Sequence, residues 1–333
     1  MTRLRTAILG CGQFAHRHAQ ILSALEDEIE LTAFCDRNPQ RAINFSHTYT
    51  DDKATIYSDH LTMFKQHKLD LLVVCLPPYG HTNEVNLAAQ RGIHILIEKP
   101  IALSSDLAWT MVEDTEKAGV KTQVGFMFRF GEAIEVLKAK IDSGEAGMLG
   151  LMSARYFCNA LHAPWWRDKS KSGGQLVEQV IHMFDLLRYL GGDCASVFSR
   201  QENLFHREVE GYSSEDVSAT IVNFKNGGIG VVYATNGAIP GKWINDYRVV
   251  TKNITADFFN ANKAIFYNTL NEPITSIQID SDRDFRLMQT LDLINAIKKD
   301  SETRTPMREG AKSLDLVLAA SISASQHQEV KLK

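Results

Sequence analysis

Thr6-Ala7-Ile8-Leu9-Gly10-Cys11-Gly12-Gln13-Phe14-Ala15 decides how the first third of the chain folds. A short apolar strand runs straight into G-x-G-x-x-A. The helix this opens carries Ala15, Ala19, Leu22 and Leu25 at helical spacing. Gly10 suits a tight turn, Gly12 lets backbone approach a pyrophosphate, and Ala15 is small enough for the helix to pack on its strand. The helix start then presents N–H groups and the positive end of its dipole to phosphates. Such a fingerprint is weak alone, so its context matters. A second strand over 29–35 ends in Asp36, at about the 20-residue interval expected for a carboxylate on the adenosine ribose. Asp36 also reads as a helix cap, but Asn38-Pro39 already supplies a cap and first helical position.

Working outward, residues 69–76 form a buried strand entering Pro77-Pro78-Tyr79-Gly80-His81, and a helix over 82–91 stops at Gly92. Ile93-His94-Ile95-Leu96-Ile97-Glu98-Lys99-Pro100 follows, apolar on both faces and then abruptly ionic. Such a strand suits a parallel sheet covered on both sides. Ligands of these sheets bind beyond the carboxyl ends of the strands. Cofactor contacts are therefore expected from Gly10, Gly12, Gln13 and Phe14, from Asp36 and Arg37, and from Leu76, Pro77, His81, Glu98 and Lys99. By itself the Glu98-Lys99 pair reads equally well as an ordinary ion pair closing a strand. Ser58 can cap a helix through Phe64, Ser104 caps a helix to Ala118, and 120–125 makes a last strand. Six strands alternating with helices over 1–125 indicate a doubly wound, parallel α/β dinucleotide-binding domain.

From Phe126 the texture changes, and 126–333 is expected to be a substrate-binding and oligomerisation domain. A helix over 132–142 precedes strand-like segments at 149–158, 195–204, 216–224, 228–235, 246–253 and 275–280. They are interrupted by one helix, 175–190, so an α+β domain with an open-faced, mainly antiparallel sheet is expected. Helices over 283–299, amphipathic, and 309–325 close the chain. Within Ser172-Gly173-Gly174-Gln175-Leu176-Val177-Glu178-Gln179-Val180-Ile181-His182-Met183-Phe184-Asp185, Glu178 and His182 are four apart and share a helix face. Asp185 can reach His182 from the next turn. A solvated polar face is the plain reading. Yet the surrounding Leu176, Val180, Met183, Phe184 and Leu187 leave only a narrow polar stripe, which favours acid–base work. No third ligand accompanies the pair, so no metal is expected. Tyr156, Asn159, His162, Trp166, Arg167 and Arg129 are candidates to line a polyol pocket, although a buried Trp pair would serve packing equally.

The 333 residues favour two domains, and 44% apolar with 23% charged residues is ordinary for a soluble globular protein. A net charge of −4 gives no footprint for nucleic acid or an anionic membrane. The N-terminal apolar run is too short for a signal peptide, and no run approaches a membrane span. Five cysteines without a Cys-x-x-Cys pair fit a reducing cytoplasm rather than a disulfide framework.

On Gly10-x-Gly12-x-x-Ala15, Asp36, Pro77-Pro78-x-x-His81, Glu98-Lys99-Pro100 and Gly173-Gly174 through His182 and Asp185, the chain resembles the glucose–fructose oxidoreductase, inositol dehydrogenase and MocA (Gfo/Idh/MocA) family along essentially its full length. The resemblance implies a Rossmann domain, then a sheet whose outer face forms homodimers or homotetramers. It also implies that Lys99 and His182 flank the nicotinamide and the reacting carbinol of a sugar, cyclitol or related polyol. Where the family usually has Asp one turn before that His, this chain has Glu178. Expected roles follow: His182 accepts the carbinol proton, Lys99 stabilises the alkoxide, and Glu178 orients His182. Asp36 favours NAD, while Arg37 offers a cation to a 2′-phosphate, so NADP stays open. Rival readings are a redox-neutral NAD-dependent glycosidase or lyase and a non-catalytic dinucleotide sensor; a sensor needs no proton relay.

Overall fold

A computed structural model describes residues 3–332. Two compact units divide the chain. The first comprises Met1–Gly125 and Leu287–Ala311, the second Phe126–Arg286 and Lys312–Lys333.

In the first unit, strands alternate with helices in chain order: β1 (Leu4–Leu9), α1 (Ala15–Ala24), β2 (Ile29–Cys35), α2 (Pro39–Thr50), β3 (Thr55–Tyr57), α3 (His60–Gln66), β4 (Leu71–Val74), α4 (Glu84–Ala89), β5 (His94–Ile97), α5 (Ser105–Lys117) and β6 (Thr122–Val124). All pairings are parallel, in the order β3-β2-β1-β4-β5-β6. That is the dinucleotide-binding order, with its crevice where β1 meets β4. The sixth strand is β3, too short to show a period of its own. Asn38 caps α2 through its side chain, with Pro39 at the first helical position, and Ser104 caps α5. For α3 the cap is Asp59 rather than Ser58: its carboxylate accepts Thr62 N–H at 2.7 Å. The core gathers Ile8, Leu22, Phe34, Phe45, Val73 and Leu96. Burying each such side chain stabilises the fold by about 1.5–3 kcal/mol.

The segment 287–311 belongs with this unit, so the division differs from the expected single cut after residue 125. Its physical reason is apolar burial. Helix α10, numbered below, places Leu293 and Ile294 in the same core. Beyond it Val124 N–H donates to Thr305 C=O at 2.7 Å, extending the β6 edge.

The second unit contains α6 (Glu132–Asp142), β7 (Leu149–Phe157), single helical turns α7 (Pro164–Arg167) and α8 (Lys169–Ser172), a π turn (Leu176–Val180), α9 (Ile181–Gly191), β8 (Cys194–Glu202), β9 (Val217–Phe224), β10 (Ile229–Thr235), β11 (Tyr247–Thr251), β12 (Ile254–Asn260), β13 (Lys263–Asn268) and β14 (Thr275–Asp280). Then come α10 (Phe285–Lys299), α11 (Met307–Gln326) and β15 (Val330–Lys331). The sheet order is β14-β13-β12-β11-β7-β10-β9-β8-β15, antiparallel except where β10 meets β7. One face is buried under α9, whose approach needs Gly230: a Cβ there would lie 2.6 Å from a Leu187 methyl. On the other face Leu151, Phe198, Ile221, Ile229 and Tyr233 are exposed. Strands β12 and β13 escape a reading of the sequence because Phe258-Phe259 breaks the alternation and only asparagines mark their turn. Among the described residues, no helix is long and apolar enough to cross a membrane.

Candidate active site

Each unit contributes its own constellation. In the first, Gly10 turns at φ +92°, and a Cβ there would meet Cys75 O at 2.6 Å. Leu76, half-buried, packs on the same glycine. A Cβ at Gly12 would meet nothing within 4 Å, so the loop faces open space there. Helix α1 starts after exposed Gln13 and Phe14, with no side-chain cap and no acidic residue in its first turn. Its positive end is thus uncompensated, and an anion has room to approach it. Asp36 bridges two loops: Oδ2 accepts Cys11 N–H at 2.9 Å and Oδ1 accepts Asn38 N–H at 2.8 Å. Arg37 beside it is exposed.

Two buried His–carboxylate pairs brace the same sheet edge. His81 Nδ1 meets Glu84 Oε1 at 2.7 Å, and Glu84 also accepts Thr82 N–H at 2.8 Å. Burial alone would raise the Glu84 carboxyl. The His81 and Thr82 hydrogen bonds outweigh it and leave the group below its ordinary range. His81 Nε2 is buried without a partner among the described residues. At the end of β5, Glu98 Oε1 meets His18 Nε2 at 2.8 Å, and Gly125 leaves room for its carboxylate. Glu98 is therefore a buried support. Lys99 follows it, half-buried, and the Lys99–Pro100 bond is cis. The open face at Gly12, the uncapped helix and the orphaned His81 nitrogen fit a dinucleotide pyrophosphate and ribose.

In the second unit His182 is 7% exposed. Phe126 meets it edge-on at 6.2 Å, and Phe128 lies at 4.9 Å. One turn earlier Glu178 sits on the π turn, a backbone irregularity concentrated at functional sites. Its Oε2 accepts the Trp166 indole N–H at 2.8 Å. The neighbouring Gln179 Nε2 lies 3.1 Å from His162 Nε2. His162 has φ +53°, stacks on Trp166 at 4.3 Å, and burial pushes its pKa down.

Several expected pocket residues have bracing roles instead. Arg129, 2% exposed, forks onto Asp185 (Nε to Oδ2 2.8 Å, a terminal nitrogen to Oδ1 2.6 Å). Asp185, expected to support His182, is taken up by Arg129 and by Ser313 Oγ at 3.0 Å. Arg167 donates to the carbonyls of Leu161 and His162 at 2.8 and 3.0 Å, so it ties a loop together. Trp166 is 2% exposed and serves Glu178 rather than a pocket wall. Tyr156 is buried on the sheet, and desolvation holds its phenol well above the ordinary range. His18 and Glu84 were not singled out from the sequence: each is one polar residue on a buried helix face, and its partner is identified only by the fold. All five cysteines are free thiols.

Residues 4–126 match the oxidoreductase family with an NAD-binding Rossmann fold, and residues 134–255 match the GFO/IDH/MocA C-terminal domain. Myo-inositol 2-dehydrogenase of Thermotoga maritima is 26% identical over 99% of both chains. The scyllo-inositol 2-dehydrogenase (NAD(+)) of Bacillus subtilis is 28% identical over 83% of this chain and 77% of its own. Among solved structures, levoglucosan dehydrogenase in complex with NADH and L-sorbose superposes with a TM-score of 0.92 over 100% of both chains at 17% identity, a likeness of fold. With a 3-2-1-4-5-6 parallel sheet, an open glycine loop and both family domains matched, the chain belongs to the Gfo/Idh/MocA family of NAD-binding oxidoreductases.

Proposed function

We propose that this chain transfers a hydride between a nicotinamide and a carbinol or carbonyl carbon of a sugar, cyclitol or related polyol. The observation that carries the reading is His182, almost fully buried between Phe126 and Phe128 one turn after a carboxylate held by an indole. A buried imidazole with a fixed carboxylate nearby suits proton transfer to and from a substrate oxygen. The inositol dehydrogenase relatives are consistent with such a substrate class.

The first unit is the dinucleotide-binding part and most of the second is the substrate-binding and oligomerisation part. Gly10, Gly12, Gln13 and Phe14 hold the pyrophosphate, Asp36 the adenosine ribose, and Leu76, Pro77 and His81 the adjoining edge. NAD is the preferred cofactor, with NADP admitted through Arg37. The bound nicotinamide supplies the hydride chemistry. His182 takes the carbinol proton during oxidation and returns it during reduction. Lys99 hydrogen-bonds the same oxygen and stabilises its negative charge. Glu178 orients His182. The exposed apolar face of the second sheet supports a homodimer or homotetramer, and five free thiols suit a cytoplasmic setting.

NADH fluorescence on mixing the protein with NAD and a panel of sugars and cyclitols tests the reading. NADH forms with at least one member. A panel that yields none, with no NADH consumed by the matching ketoses, would overturn it.

A further inference from the structure

A cavity of about 360 Å³ opens within the second unit, against the buried sheet face at β11 and the hairpin joining β12 to β13. Its volume is at the small end for ligand pockets, the size of a monosaccharide part. Phe128 and Phe285, edge to face at 5.8 Å, form its apolar wall. Asn245, Tyr247 and Asn262 form its polar wall. Asn245 Oδ1 and the Tyr247 hydroxyl are buried with no partner among the described residues. Native folds leave few such atoms, and two beside one cavity point to groups that arrive from outside the chain. Tyr247 is 4% exposed and its ring stacks on Phe258 at 4.5 Å, so the hydroxyl cannot swing out to water. Burial keeps it protonated and hence a donor. Half-buried Asn245 needs only a rotation of its amide to present either atom. Phe128 is a shared wall, because the same ring packs on His182 at 4.9 Å.

We propose that this cavity is the recognition subsite for an uncharged, hydroxylated part of the substrate remote from the reacting carbinol, with Tyr247 donating to, and Asn245 accepting from, its hydroxyl groups. This rests on the reading of the chain as a sugar or cyclitol oxidoreductase. Charge at the rim excludes an anionic group. Lys263 is the cation there, and its ammonium is engaged by Asp280 at 2.5 Å and lies 3.6 Å from Asp282. A phosphate or carboxylate would meet two aspartates around one neutralised lysine.

The test titrates the full chain, saturated with NADH, with D-glucose, myo-inositol and glucose 6-phosphate, in the wild type and in Tyr247→Phe. Binding is read by calorimetry, which requires no turnover. A neutral probe binds, glucose 6-phosphate binds more weakly than glucose, and Tyr247→Phe weakens the neutral probe about three- to tenfold, the worth of one hydrogen bond. Since the variant loses an orphaned hydroxyl, its melting temperature does not fall. Equal affinities in the two proteins, tighter glucose 6-phosphate, no binding by any probe, or a lowered melting temperature would each overturn the subsite. Equal affinities would leave the hydroxyl to ordered water alone. NADH formation, read separately, reports on hydride transfer: binding that persists without it counts against the proposed reaction and not against the subsite.

Discussion

Trp166 donates its indole N–H to Glu178 Oε2 at 2.8 Å, fixing the carboxylate on the π turn that precedes His182. A hydrogen bond to a charged group contributes about 1.5–3 kcal/mol. Trp166→Phe retains most of the buried ring and releases the carboxylate. It lowers kcat/KM on the working substrate by about tenfold or more, and Trp166→Ala loses the fold as well. A Phe variant with unchanged kcat/KM would make the indole a packing element only.

Lys99 follows a carboxylate that His18 already engages, so Glu98 is a support and Lys99 the group assigned to chemistry. Lys99→Met keeps NADH affinity nearly intact, measured by fluorescence titration. It lowers turnover about 10²-fold or more, the scale of a lost electrostatic group. A variant with most of its turnover intact would reduce Lys99 to the end of a strand.

The parallel half of the molecule was legible because its signals are local. Gly10, Gly12 and Asn38-Pro39 each act within a few residues, and β2 and the α5 cap lie where those rules put them. The second half was legible in part. Strands β12 and β13 lack clean alternation, and the return of 287–311 to the first unit depends on which core Leu293 and Ile294 enter. At the candidate site, Glu178 and His182 could be found from spacing in a buried helix. Arg129 could not be assigned, because its partner Asp185 lies far along the chain and a guanidinium gives no local sign of being buried. The π turn is equally silent in sequence.

That buried pair makes a stability prediction. Arg129 and Asp185 are both almost fully enclosed, and removing one partner strands the other charge. Asp185→Asn should cost about 3–5 kcal/mol in denaturant unfolding of the second unit. Arg129→Met combined with Asp185→Leu should recover much of that loss. A double variant no better than the single would mean that the pair's geometry, rather than the desolvated charge, is what the fold needs.

Asp36 governs cofactor choice. It stands at the end of β2 with both oxygens already oriented by Cys11 and Asn38 amides, so a 2′-phosphate would meet a fixed negative charge. The wild type binds NADH more tightly than NADPH. Asp36→Ser removes the repulsion and leaves exposed Arg37 to attract, so the preference narrows about tenfold or more, the span of one charged hydrogen bond. Tighter NADPH in the wild type would reverse the assignment.

His162 gives the chain an acid-sensitive element. Gln179 Nε2 faces its Nε2 at 3.1 Å, a geometry that requires the ring nitrogen to accept, and burial lowers its pKa. Glu178 favours the charged form, while Arg167 and His206 oppose it, and burial outweighs them. The unfolded chain therefore binds this proton first, at the ordinary histidine value of about 6.5. Above that pH the group contributes nothing to the pH dependence. As pH falls below it, protons favour the unfolded state and stability is lost. His94, lowered by burial and by Lys121, acts in the same direction. Thermal melts should show the melting temperature falling between about pH 6.5 and about pH 5. His162→Gln, which retains an acceptor for Gln179, should flatten that slope, while His94 leaves a residual one. A slope identical in the two proteins would mean that His162 is protonated in the fold, and the acceptor geometry at Gln179 would be wrong.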